Sequence, residues 1–248
     1  VTPREIPFVV STWGNDLTLH ASGSKYMKTL TRRCLERADA LFSDTARDIR
    51  LAGDWGFRAG NPSEVIPGGG GVELKTIFQG VAQAHFPYEL PKGSLIVNPR
   101  GHRPGSLRQD LFFQAIPLVL KEFPEASFIF PGFYGDKMVQ SWMRPLNATE
   151  HIWLLPRLKQ YQLWFIFSKS QIFVSPSIHD GVPNSLLEAM ACGCFPVVGD
   201  IESMREWITD GSNGLLVDAN DPCSIARGII TALKKNALRS QARFHNKE

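Results

Sequence analysis

Two acids eight residues apart, Asp180 and Glu188, carry the strongest chemical signal in this chain. They lie in residues 175–200, SPSIHDGVPNSLLEAMACGCFPVVGD, with Gly181 and Pro183 between them. Gly181 allows close backbone approach, and Pro183 fixes the direction in which a helix begins. The free N–H groups expected around residues 184–187 attract anions. A carboxylate at such a place is electrostatically wrong for phosphate, but it accepts hydrogen bonds from hydroxyls such as those of a sugar or ribose. Taken singly, each acid is equally readable as a helix-capping charge. A second cluster, NPRGHRPGSLR at residues 98–108, holds Arg100, Arg103 and Arg108 with two glycines. The planar guanidinium fork suits phosphate oxygens, although the same loop read alone is equally a solvated basic turn.

The elements that must hold these residues follow from the pattern of apolar runs. Strands are expected at 95–97, 127–130, 152–155, 172–174, 195–198 and 215–217. Helices are expected at 110–123, with Pro117 near its first turns, and at 136–144, 159–168, from about 184, 204–208 and 222–234. Short apolar strands alternating with helices predict a doubly wound parallel α/β sheet. Ligands of such sheets bind outside the carboxyl ends of the strands. The loops 98–108, 131–136, 156–158 and 175–184 should therefore line one crevice, and a shared sheet edge favours phosphate for the arginine loop.

Upstream the pattern is shorter. Residues 6–13 and 40–43 read as strands, 24–38 as a helix, and Asp44 or Thr45 can cap a helix running to about 55. A short strand is expected at 64–66. This resembles the latter half of an alternating layer, with too few strands for a complete domain. Gly68 to Gly71 after Pro67 read as a linker rather than a phosphate cradle, because no Gly-Lys-Ser/Thr follows. Residues 76–93 read as an irregular connection.

Composition narrows the classes. The chain has 248 residues, 43% hydrophobic and 21% charged, ordinary for a globular protein. A formal net charge of +3 argues against a dedicated nucleic-acid binder and fits a locally basic pocket. No run of apolar residues is long enough for a spanning helix. Four cysteines, with Cys192-Gly193-Cys194 at an expected helix end, read as reduced thiols rather than a metal site.

The stretch DGVPNSLLEAMACGCFPVV closely resembles the nucleotide-sugar motif of the group 1, retaining, GT-B glycosyltransferases, E-G-x-P-x-x-x-x-E-A-M-A-x-G-x-P-V-V. Glu206, and residues 210–217 (DGSNGLLV), continue the likeness. So do Asn98-Pro99-Arg100-Gly101, Phe130-Pro131-Gly132 and residues 65–69 (VIPGG). The resemblance implies a GT-B fold of Rossmann-like type. Its C-terminal domain would be complete and its N-terminal domain incomplete. Residues 1–66 would be the last part of the acceptor-side domain, 67–93 a glycine-rich linker and irregular connection, 94–236 the donor domain and 237–248 the start of truncated C-terminal helices. It further implies transfer of a sugar from a nucleotide diphosphate-sugar with retained configuration, without cofactor or metal.

By resemblance, Glu188 would hold the ribose hydroxyls and Asp180 the donor sugar. The backbone of Gly181, Val182, Pro183, Asn184 and Ser185 would hold sugar and diphosphate. Arg100 would neutralise the leaving group, making Asp180 and Arg100 the catalytic pair, and Arg157 would stand where the base is held. Three departures are visible: Asp180 for the family's Glu, Leu107 for its phosphate-binding Lys, and Trp13 for the His of its H-G-x-D segment. Arg103 or Arg108 would then replace the lysine. The expected partners are a nucleotide-sugar donor and a sugar, lipid-linked or small-molecule acceptor, with no nucleic acid. The expected location is the cytoplasm, with peripheral contact at the inner membrane face where the acceptor is a lipid. Two alternatives stand beside this reading: a nucleotide-sugar-binding module without turnover because the acceptor domain is incomplete, and a related GT-B enzyme such as a sugar-nucleotide epimerase.

Overall fold

The computed structural model describes residues 3–67 and 71–246. Three glycines of the expected linker, residues 68–70, thus lie outside the described residues. Among the described residues, nine strands form two separate parallel sheets.

The larger sheet contains β4 (Leu95–Val97), β5 (Ser127–Pro131), β6 (Ile152–Leu155), β7 (Ile172–Ser175), β8 (Phe195–Gly199) and β9 (Leu215–Val217). Their order across the sheet is β6-β5-β4-β7-β8-β9, every pairing parallel. The order reverses between β4 and β7, whose register pairs Ile96 with Ile172 and Val97 with Phe173. That reversal opens a crevice beyond the strand ends. It puts the loops after β4 and β7, which carry the arginines and the first acid, side by side.

Helices cover both faces, which is why these strands read as unbroken apolar runs. On one face α4 (Gln109–Leu120) and α9 (Pro222–Lys234) enclose Ile96, Phe128, Phe130, Val174 and Val197. Phe113 stacks on Phe130 there with ring centroids 4.6 Å apart. The short α5 (Lys137–Met143), capped by Asp136, and α10 (Asn236–His245) flank that layer. On the other face α3 (Leu74–Gln83), α6 (Gln160–Lys169) and α7 (Asn184–Cys192) pack over Leu95, Val97, Ile129, Phe173 and Val198. Each fully buried aromatic contributes roughly 2–3 kcal/mol of burial free energy.

The smaller sheet is β1 (Val9–Thr12), β2 (Ala40–Ser43) and β3 (Ser63–Val65), with α1 (Lys25–Arg37) and α2 (Ala46–Asp54). Leu17, Leu35, Leu41, Ala52 and Phe57 form its core. We call the two parts the large-sheet and small-sheet lobes. No helix among the described residues is long and apolar enough to cross a membrane.

Three local expectations are corrected and one open choice is resolved. Residues 76–93 are not wholly irregular: α3 occupies Leu74–Gln83, because Leu74, Ile77 and Val81 form a stripe that buries against α6 and α7. Pro117 is not near the first turns of its helix but in its last turn, since α4 ends at Leu120; it lacks the N–H that would bond the Phe113 carbonyl one turn upstream, and the helix ends three residues later. The short helix expected at 204–208 is α8, Glu202–Arg205. Thr45, not Asp44, is the side-chain cap of α2: its hydroxyl accepts the Asp48 N–H at 3.3 Å.

Candidate functional site

The loop after β4 and the loop after β7 meet at one ion pair. An Arg100 guanidinium nitrogen donates to Asp180 Oδ2 at 2.5 Å, and both side chains are almost completely buried. Asp180 is otherwise satisfied by its own loop: Ser177 Oγ donates to Oδ2 at 3.2 Å and the Gly181 N–H to Oδ1 at 3.1 Å. Arg100 is not. A second guanidinium nitrogen makes only a long contact, 3.4 Å, to Ser185 Oγ, and its buried Nε has no partner among the described residues. Burial pulls the Arg100 pKa below the usual arginine range; Asp180 opposes that pull and neighbouring Arg103 adds to it. The pocket thus holds a buried cation with donors to spare, which favours an added anion.

Helix α7 begins at the same place. Pro183 precedes it and supplies no side-chain cap. The Leu186 and Leu187 N–H groups turn back to the Pro183 carbonyl, at 2.8 and 3.4 Å. Among the described residues the N–H groups of Asn184 and Ser185 have no acceptor, so the expected anion site narrows from 184–187 to these two. Glu188 follows on the buried side of α7, where Gln160 Nε2 from α6 donates to its Oε1 at 2.8 Å. Burial raises the Glu188 pKa; Gln160 and the neighbouring Trp164 indole oppose the rise without cancelling it. A carboxylate held this way is a hydrogen-bond acceptor for hydroxyls.

The three other arginines part company. Arg108 is committed: it donates to both Asp110 oxygens at 3.0 and 2.9 Å and to Asn220 Oδ1 at 2.7 Å, bracing the start of α4 against the turn before α9. Arg103 is exposed, yet close enough to Arg100 to depress its pKa. Arg157 is exposed beyond β6, two strands from the switch point. Leu107, in the place of the family's lysine, is buried and bridges to Ser177. The structure therefore joins Arg100, Asp180, Gly181 and Ser185, sets Asn184 at the start of the same helix and Glu188 one turn into it, places Arg103 near Arg100, and turns Arg108 away.

The small-sheet lobe adds contacts that the sequence did not assign to the site. Asp44 follows β2 and faces the Asp180 loop, where it accepts the Val182 N–H. Burial lifts its pKa to about 6, with the charges of Asp48, Asp180 and Asp16 adding to the rise. The lobes touch without room for a side chain. A Cβ on Gly14 would lie 1.9 Å from the Gly181 nitrogen, and one on Gly181 would lie 2.5 Å from Asp44 Oδ2. Gly14 also has φ +83°, which other residues rarely adopt. Asn15 Nδ2 reaches Ser106 Oγ across the junction at 2.9 Å. Trp13, in the place of the family's histidine, is mostly exposed, its indole N–H on Ser11 Oγ at 2.8 Å.

Comparison with known proteins bears on the family and the fold. A family model for glycosyl transferases group 1 matches residues 101–248. The O-antigen chain mannosyltransferase B of Escherichia coli is 26% identical over 185 residues, covering 73% of this chain and 44% of that protein. This chain spans less than half the length of the curated relatives it matches. Among solved structures, HepE of Anabaena in complex with UDP superposes with a TM-score of 0.77 at 16% identity, over 98% of this chain and 67% of HepE. TarM of S. aureus, solved with UDP, fondaparinux and alpha-GlcNAc-glycerol, gives 0.76 at 16% identity, over 97% of this chain and 46% of TarM. At such identities the likeness is one of fold, the GT-B arrangement. With a family model over more than half of its length, and with the family's acid–glycine–proline loop folded against Arg100 at the switch point, the chain belongs to the group 1 glycosyltransferases.

Proposed function

We propose that this chain holds the donor half of a glycosyltransferase that moves a sugar from a nucleotide diphosphate-sugar to an acceptor hydroxyl with retention of configuration. The observation that carries this reading is the buried Arg100 guanidinium, which bonds Asp180 and makes a long contact to Ser185 Oγ at the start of α7 while its Nε has no partner among the described residues. A guanidinium has five N–H donors in a fixed fork. Asp180 takes one, so Arg100 can serve diphosphate oxygens without giving up the ion pair. When the bond from the sugar to the diphosphate breaks, the electron pair stays on the diphosphate. Arg100 and the α7 start stabilise that growing charge in a water-poor site. Asp180, held in place by Arg100 and Ser177, faces the sugar, and Glu188 accepts from the ribose hydroxyls.

Arg103 supplies the second positive charge in place of the missing lysine; its nearness to Arg100 and the commitment of Arg108 to Asp110 and Asn220 support that choice. Arg157 lies at the base end. Residues 94–236 form the donor domain and 1–66 the last part of the acceptor-side domain, a division that the two separate sheets support. No metal or cofactor is needed in this scheme, and the acceptor, whether sugar, lipid-linked or small molecule, approaches from the small-sheet lobe.

The test is turnover. UDP- and GDP-sugars are incubated with the chain and a panel of acceptor alcohols, and the product anomer is read by NMR. Release of nucleotide with an unchanged anomeric configuration, reduced at least about tenfold by Glu188→Ala, is the expected result. Donor binding without any turnover would reduce the chain to a nucleotide-sugar-binding module, and an inverted or epimerised product would overturn the assignment.

A further inference from the structure

The Asp180 loop is held from both lobes through one carbonyl and one helix cap. The Asp180 carbonyl accepts from Ser203 Oγ of the large-sheet lobe at 2.8 Å and from an Arg47 guanidinium nitrogen of the small-sheet lobe at 2.9 Å. Arg47 is buried, charge-balanced by Asp48 at 2.8 Å, and also reaches the Gly14 carbonyl at 3.3 Å. It is the second residue of α2, and the start of α2 is capped across the junction. The Glu206 carboxylate accepts the Ala46 and Arg47 N–H groups, both at 2.9 Å. Glu206 directly follows α8, the helix that carries Ser203.

The contacts therefore close a ring: Glu206 to α2, Arg47 to Asp180, Asp180 to Ser203, and Ser203 through α8 back to Glu206. We propose that Glu206 and Arg47 are positioning residues that couple the seating of the small-sheet lobe to the conformation of the Asp180–Gly181 loop. A charged cap on two helix N–H groups is strong and directional, and a buried guanidinium that bridges two carbonyls admits one placement of both. When Glu206 lets go of α2, Arg47 loses its anchor, and Asp180 loses one of the two donors to its carbonyl. Asp180 then faces Arg100 and the donor sugar less well, although neither Glu206 nor Arg47 touches the donor. The structural half of this inference stands on the ring alone; its catalytic half rests on the donor reading.

Hydrogen exchange read by mass spectrometry tests the structural half on the full chain without ligand. Glu206→Ala is expected to speed exchange about tenfold at residues 46–48 and 181–187 while β4, β5 and β7 keep their rates. Glu206→Gln retains one carbonyl acceptor and restores part of the protection. Arg47→Lys keeps the charge beside Asp48 but cannot span both carbonyls; it loosens 181–187 while the Glu206 cap still protects 46–48. It also carries the test if Glu206→Ala fails to fold. Unchanged exchange at 181–187 in the folded variants overturns the inference.

The second arm measures affinity for UDP and GDP beside kcat for the matching sugars. Turnover is expected to fall at least about tenfold in Glu206→Ala, with nucleotide affinity within about threefold of the parent. Affinity and kcat falling together would mean general damage to the site and would sink the positioning role. If the parent chain binds neither nucleotide, the donor reading fails and the exchange result still decides the ring.

Discussion

The two lobes bury their strands in opposite ways. In the large-sheet lobe β7 and β8 are buried from end to end between helices on both faces. In the small-sheet lobe no strand is: Val9 of β1 is 51% exposed and Phe42 of β2 is 41% exposed. The first lobe is held by its own apolar core. The second has a small core and leans on the first through polar contacts, among them the Glu206 cap, the Arg47 bridge and the Arg50–Glu202 ion pair at 2.7 Å. A well-packed large-sheet lobe and a neighbour attached through polar groups would suit the proposed donor site, which must hold one substrate while the other comes and goes. Polar junctions come apart and re-form more readily than packed cores.

Stability measurements can break that contrast. Phe130 is fully buried against Phe112, Phe113 and Phe133. Phe130→Ala should cost about 3–5 kcal/mol in calorimetric unfolding, whereas Phe42→Ala, on a half-covered strand, should cost under about 1 kcal/mol. Equal costs would mean that both sheets are sealed alike and would remove the contrast.

A smaller effect sharpens it at the junction. Asp44 is lifted from 3.8 to about 6 mainly by burial, so between those values the folded chain holds a proton that the unfolded chain releases. Its contribution is therefore fully favourable below about pH 4 and is lost as pH rises through about 6. The loss is at most about 3 kcal/mol. The melting temperature should fall between pH 5 and pH 7, and Asp44→Asn should flatten that slope. Asp39, Asp110 and Asp200 are held below their usual range and act at lower pH. Burial also raises the pKa of Glu188 and Asp48 and lowers that of His179, so the part of the slope that Asp44→Asn removes, not the slope itself, is what belongs to Asp44. A slope unchanged in Asp44→Asn would contradict the burial of Asp44 at the junction, which is the main cause of its raised pKa.

What the sequence reveals follows the same division. The inner strands of the large sheet, β4, β5, β7 and β8, are legible as apolar runs because they are covered on both sides. The crevice is legible because polar, glycine-bearing loops follow β4 and β7. Helix α3 is not legible: its apolar stripe is short and Gly80 reads as a breaker. Yet Gly80 is a packing notch, since a Cβ there would lie 2.5 Å from Trp164 Cε3. The roles of Asp44, Arg47 and Ser203 are equally hidden. Arg47 and Asp180 lie 133 residues apart and Glu206 and Ala46 160 apart, and no local period encodes such a pairing. Arg108 shows the converse: its loop and charge suit phosphate, but Asp110 two residues on and Asn220 across the fold claim it first.

The central claim, that a diphosphate is bound where the loops after β4 and β7 meet, is tested most directly by calorimetric titration of UDP and GDP into the parent chain, Arg100→Ala and Arg108→Ala. The account predicts that the parent binds at least one of them, that Arg100→Ala loses about 30-fold or more in affinity, and that Arg108→Ala stays within about threefold. Binding that survives Arg100→Ala but is lost in Arg108→Ala, or a parent chain that binds neither nucleotide, would contradict it.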